Sequence, residues 1–256
     1  MTTKEYQENE LKSMSLGDHL EELRARLILA LAGLVLASII GFIAGRWFLH
    51  LILLPYELAM ERANLELQLL AVKPAEKFLA YMKASLVLGV LISSPWLFYQ
   101  VWAFVAAGLY KHERKFVKIV APASSLLFIA GVLFFLLVIA PMVFKFFMLF
   151  DPGIQYVNYQ PSLTESLNFV LLLALVFGLA FQTPIAIVFS ERMGLVTVET
   201  LCRVRKYVLL AAFVVGAIAT PPDVVSQIAL AVPLYILYEA SIVVCRFWKK
   251  KRAVVK

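Results

Sequence analysis

Charge is scarce in this sequence. Only 16% of the 256 residues are Asp, Glu, Lys or Arg, 62% are hydrophobic, and the mean hydropathy is +0.86. A soluble domain carries about a quarter charged residues, so a water-covered surface is excluded over most of the molecule and the chain reads as a membrane protein. Cysteine is nearly absent as well. Cys202 and Cys245 are too few for a disulfide framework, and both lie beside basic segments, which predicts free thiols. The histidines, His19, His50 and His112, show neither HExxH nor Cys/His spacing, so no metal site is expected. No nucleotide-binding loop is present, and no Ser/His or Asp/Asp constellation sits at matching depth, so neither a cofactor nor an enzymatic reaction is expected. A cleavable signal peptide is not expected either, because the polar, mixed-charge N-terminal segment is followed by an apolar run too long for a signal core.

What is present is a series of long apolar runs. A spanning helix needs roughly 20 such residues, and a helix closes its backbone hydrogen bonds within the segment, as lipid requires. Six runs qualify: Leu27 to Gly45, Leu79 to Val101, Ile119 to Phe147, Leu167 to Phe189, Tyr207 to Thr220, and Val224 to Cys245. The fifth is short and ends at Thr220-Pro221-Pro222-Asp223, a double-proline breaker. Eighteen of the 24 Lys and Arg residues fall in the N-terminal segment, the second-to-third connection, the fourth-to-fifth connection and the tail. The positive-inside rule therefore predicts that both termini are cytoplasmic. That rule also accounts for the net charge of +7, so no nucleic-acid partner is needed. The expected organisation is one membrane domain over 1–256. It has a cytoplasmic tail and amphipathic helix at 1–26, a transmembrane region at 27–245 and a basic cytoplasmic tail at 246–256.

Gly33, Ala37, Gly41 and Gly45 recur every four residues, a face of small side chains that lets a second helix approach closely. Pro95, Pro141, Pro184 and Pro233 lie within or at the ends of later spans and are expected to bend them into a curved wall. Before the first span, "SLGDHLEELRARL" reads as an amphipathic helix at the membrane surface, with Ser15 and Asp18 spaced as a capping box.

A few polar residues stand out. Glu22 is spaced to pair with Arg26 one turn on, an ordinary surface ion pair. Glu113 has no such explanation. Leu109, Tyr110, Phe116 and Val117 occupy the positions three and four away, so it is either a solvated or helix-starting acid, or a carboxylate held for an incoming cation. Gln182 lies deep in the fourth run, where it either bonds to a neighbouring helix or lines a polar concavity. Glu239 is near enough to the cytoplasmic end of the last run to snorkel, Asp223 is placed to cap the last helix, and Thr220 and Gln227 form a polar cluster at the outer end.

These residues sit in ordered motifs: "HLEELRARL", "YQVWAFVAAGLYKHER", "FGLAFQTPIAIV", "RKYVLLAAFVVGAIATPPDVVSQ" and "AVPLYILYE". In their order and spacing the chain resembles the TatC family, the multispanning receptor subunits of the twin-arginine protein translocase. The resemblance implies an all-α integral membrane protein of six transmembrane helices, cupped around a hydrophilic concavity, with the last two spans short. It implies a receptor in the cytoplasmic (inner) membrane for twin-arginine signal peptides of folded cargo. Such a receptor works with TatA-type and TatB-type single-span subunits, as a homo-oligomer within the receptor complex, and draws on the proton-motive force. On the same basis Glu22, Glu113 and Phe104 contact the signal peptide, Thr220 and Gln227 dock a partner helix, and Pro55 and Asp223 belong to periplasmic caps. Gln182 departs from the family's frequent Glu. A secondary transporter of a small solute is the alternative, but it would call for a discontinuous helix or a paired charge near midplane, and the deep polar residue of this chain is a neutral glutamine.

Overall fold

The computed structural model describes residues 16–63, 69–108, 114–150, 160–220 and 223–254. Among them the regular structure is helical, apart from one isolated bridge between Leu70 and Ser162. Helix α1 spans Leu16–Ala63, α2 Glu76–Ala107, α3 Arg114–Phe134, α4 Ala140–Leu149, α5 Leu163–Ala180, α6 Thr183–Arg192, α7 Val198–Ala219 and α8 Val224–Val254. A π-helical turn, Phe135–Ile139, joins α3 to α4 without a break. Pro141 has no N–H and its ring crowds the preceding turn; the extra residue of the π turn relieves that clash, and the Ala140 N–H reaches back five residues to Phe135 O. Pro184 has the stronger effect. It splits the fourth span at Phe181–Gln182, ending α5 and starting α6.

The amphipathic segment is not a separate surface helix. It runs straight into the first span, which itself continues past Gly45, so α1 is a single helix of 48 residues with Pro55 inside it. Such a helix is about 72 Å long, more than twice a hydrocarbon core of about 30 Å. The extension past Gly45 has a packing reason. Phe48, Ile52, Tyr56, Ala59 and Met60 recur at helical spacing and bury against Val143, Phe144 and Met148 of α4, with the Tyr56 and Phe144 rings edge to face at 5.7 Å. The proposed Ser15 cap lies outside the described residues.

Helices α1 and α2 pack antiparallel along the small-residue face. A Cβ placed at Gly41 would run into Ser85 O and lie 3.0 Å from Gly89 N, and one at Gly89 would lie 2.7 Å from Ser38 Cα. The backbones therefore touch where side chains are missing, as helix association inside lipid demands. Trp96 Nε1 donates to Leu29 O at 2.9 Å, and the Tyr81 hydroxyl donates to Phe42 O, fixing the register.

Among the described residues five helical stretches are long and apolar enough to cross a membrane: Gly17–Glu61, Glu76–Ala107, Val117–Leu149, Leu163–Arg192 and Val224–Trp248. Helix α7 is the exception. Glu199, Arg203, Arg205 and Lys206 occupy its first half and leave only Tyr207–Ala219 apolar, about 20 Å of helix. The last candidate span has 25 residues, so of the final two only α7 is short in its apolar part. The helices form a row and not a closed ring. The first half of α1 rests on α2 at one end, and α7 rests mainly on α8 at the other. The chain is an all-α, multi-pass membrane protein.

At the end of the bundle where α2 and α5 begin, Glu76 ties two connections together. Its carboxylate accepts from Val72 N (2.6 Å), Lys73 N (3.0 Å), Ser162 Oγ (3.1 Å) and Thr164 N (3.1 Å). Leu70 N donates to Pro161 O and Leu163 N to Leu70 O, closing the same junction. Four donors and no acceptor suit an ionised carboxylate.

Candidate functional site

The mouth where α1 begins and α2 ends holds most of the residues singled out from the first motifs. Glu22 Oε1 accepts from Arg26 Nε at 2.7 Å, so the ion pair read from the spacing is formed. Arg26 is held from the other side as well, its Nη1 donating to Oε1 of the buried Gln100 at 3.1 Å. One turn further along α2, the ring of Phe104 stacks on His19, with centroids 4.5 Å apart. The helix pairing thus brings Glu22 and Phe104 to one rim. Glu22 is only partly exposed, and its bond to Arg26 uses one carboxylate oxygen. Glu113 lies outside the described residues, which resume with α3 at Arg114.

Below this rim, Gln182 resolves toward helix bonding. Its Nε2 donates to Ser124 O at 2.9 Å, so the amide at the break between α5 and α6 is anchored on α3. Ser124 is used twice, because its hydroxyl also accepts from Trp102 Nε1 at 2.8 Å. Trp102 in turn meets Phe189 edge to face at 5.0 Å. A tryptophan and a glutamine from different spans thus converge on one serine, which satisfies polar groups that lipid cannot solvate. Neither Ser124 nor Gln100 stood out in sequence, since a Ser or Gln inside an apolar run gives no sign of what faces it.

Glu239 corrects the snorkelling expectation. Its Oε2 accepts from Arg205 Nη2 of α7 at 2.8 Å and its Oε1 from the Tyr235 hydroxyl at 3.0 Å, so it is met by a cation across the α7–α8 contact. The separation of 34 residues hides that pair from any local pattern.

At the opposite end, Asp223 caps α8 as expected, its Oδ1 accepting from Ser226 N at 2.7 Å. Thr220 Oγ1 donates to Gly216 O at 2.8 Å, and Gln227 Nε2 donates to Phe213 O at 3.0 Å. Both polar side chains turn onto neighbouring carbonyls of α7, and the close approach of Gln227 depends on Gly216, where a Cβ would lie 3.1 Å from Gln227 Cγ. Pro55 is buried in the distal half of α1. Among the described residues no group of His, Cys, Asp and Glu is arranged to hold a metal ion.

A family profile described as "Sec-independent protein translocase protein (TatC)" matches residues 18–233. The chain belongs to the TatC family. It is 37% identical over 237 residues to the "Sec-independent protein translocase protein TatC" of Escherichia coli (strain K12), covering 91% of this chain and 88% of that protein. Identity is 36% over 236 residues with TatCy of Bacillus subtilis (strain 168), covering 92% and 90%. A crystal structure of the twin-arginine translocase receptor TatC superposes with a TM-score of 0.79 at 34% identity, over 90% of this chain and 98% of that one. The family match takes in both ends of the membrane region, from the Glu22 rim through Thr220 to Gln227.

Proposed function

We propose that this TatC-family chain is the receptor subunit of a Sec-independent translocase, binding twin-arginine signal peptides and passing folded proteins across the inner membrane. The observation that carries the reading is the rim geometry within a family match over most of the chain. There a partly exposed carboxylate, Glu22, is oriented by Arg26, which Gln100 holds in place, and Phe104 lies one turn away. An incoming guanidinium has the second oxygen of Glu22 to bind, while Phe104 offers an aromatic face to the apolar part of the peptide. Glu113, at the connection between α2 and α3, supplies the second carboxylate, so that two acids read two arginines. Basic residues surround that connection, so a free cation is repelled at long range. Burial of the signal's apolar segment, at about 25 cal/mol per Å², offsets that repulsion, and binding needs both parts of the signal.

In this reading Thr220 and Gln227 form the docking site for TatA-type or TatB-type single-span subunits, and Pro55 and Asp223 shape the periplasmic caps. Both termini are cytoplasmic, the subunit is homo-oligomeric within the receptor complex, and the driving energy is the proton-motive force. The test is Glu113→Gln in cells expressing a folded reporter behind a twin-arginine signal. Export is expected to fall to background while the protein still inserts and purifies as the wild type does. Export at the wild-type rate removes Glu113 from the mechanism.

A further inference from the structure

A second polar site lies inside the apolar region, away from the rim. Lys83 sits seven residues into α2, about 10 Å from its start, and its exposed ammonium donates to Asn168 Oδ1 of α5 at 2.8 Å. An amide satisfies one donor but leaves the charge unneutralised, and an ionisable residue within a span is costly unless something answers it. The nearest acid along α2, Glu76, is already engaged by four donors. Glu165 stands on the same face of α5 as Asn168, one turn nearer the helix start, and is exposed. Among the described residues neither Lys83 nor Glu165 has a salt-bridge partner.

We propose that Lys83, Asn168 and Glu165 form a headgroup site for a membrane aminophospholipid, with the phosphate on Lys83 and Asn168 and the lipid ammonium on Glu165. Three features fit this occupant. Both α2 and α5 begin at the same membrane face, joined there by the Leu70–Ser162 bridge, and helical side chains lean toward the N-terminus. The ammonium, amide and carboxylate are therefore directed toward the headgroup layer. The order of the charges also matches. Glu165 lies about 4.5 Å closer to that surface than Asn168, as a lipid's amine lies outside its phosphate. Finally, the deeper side of the site is apolar and open. Leu86 follows Lys83 by one turn and Leu172 follows Asn168, and both are about half exposed (47% and 50%), a path for acyl chains. The remaining donors of Lys83 and the Asn168 amide NH2 supply charge-assisted bonds to a phosphate oxygen.

Native mass spectrometry of the purified full chain, released from micelles containing equal amounts of phosphatidylethanolamine, phosphatidylglycerol and phosphatidylcholine, tests this. The wild type is expected to retain phosphatidylethanolamine preferentially. Glu165→Gln is expected to reduce that retention roughly tenfold and leave phosphatidylglycerol unchanged, whereas Lys83→Gln reduces all three. Both side chains are exposed, so folding is expected to survive; Lys83→Glu, checked by helical content and elution volume, serves as a second variant. Retention of phosphatidylglycerol over phosphatidylethanolamine by the wild type overturns the proposal, as does retention unaffected by either change at Lys83.

Discussion

Glu76 illustrates how much one side chain can organise. Two of its four donors are backbone N–H groups of the α1–α2 connection and one is the backbone N–H of Thr164, so a single carboxylate closes two loops. Replacing it with Gln preserves size but turns one oxygen into a donor, which must then face at least one of those donors. Thermal unfolding in detergent, followed by tryptophan fluorescence, is therefore expected to shift to lower temperature for Glu76→Gln and further for Glu76→Ala. An unshifted Glu76→Gln contradicts the role. Nothing in the sequence signalled this role: Val72 and Lys73 are near neighbours, but Ser162 and Thr164 lie 86 and 88 residues away. The Glu22–Arg26 pair was legible because its spacing is local. The Glu239–Arg205 pair was not, and since both side chains are about a third exposed (31% and 38%) it holds α7 to α8 only modestly.

At the scale of elements, the contact between α1 and α2 follows from side chains that are missing. The spacing of Gly33, Ala37, Gly41 and Gly45 announced a close-packed face, but which helix fills it depends on Gly89 and Ser85 of α2. Gly41→Leu drives a side chain into the α2 backbone and is expected to cost about 1–3 kcal/mol by overpacking. Ile43→Ala, at a side chain 82% exposed, is expected to be nearly neutral in a urea or thermal comparison of the two variants. Equal destabilisation by both would mean that this face is not the contact. Helix boundaries were less legible than helix identity. Periodicity placed the runs, but the continuation of α1 through Phe48, Ile52 and Tyr56 needed the apolar face of α4 as its counterpart.

For the whole molecule, the orientation proposed above rests on the lopsided distribution of Lys and Arg, and it can be tested at the cysteines. Cys202 lies in the polar half of α7 and is partly exposed, whereas Cys245 is buried in the α7–α8 contact. A membrane-impermeant maleimide is expected to label Cys202 and spare Cys245, and only when it has access to the cytoplasmic face. Labelling from outside intact cells would reverse the orientation. The sequence by itself determined that the chain lives in lipid, where its apolar runs lie and to which family it belongs, because composition, periodicity and ordered motifs are local properties. Only the tertiary structure decided that Gln182 and Trp102 meet at Ser124, that Arg205 answers Glu239 and that Lys83 stands beside Asn168. Each of those meetings joins residues from different helices. Helix packing sets their distance, and no spacing along a single chain encodes it.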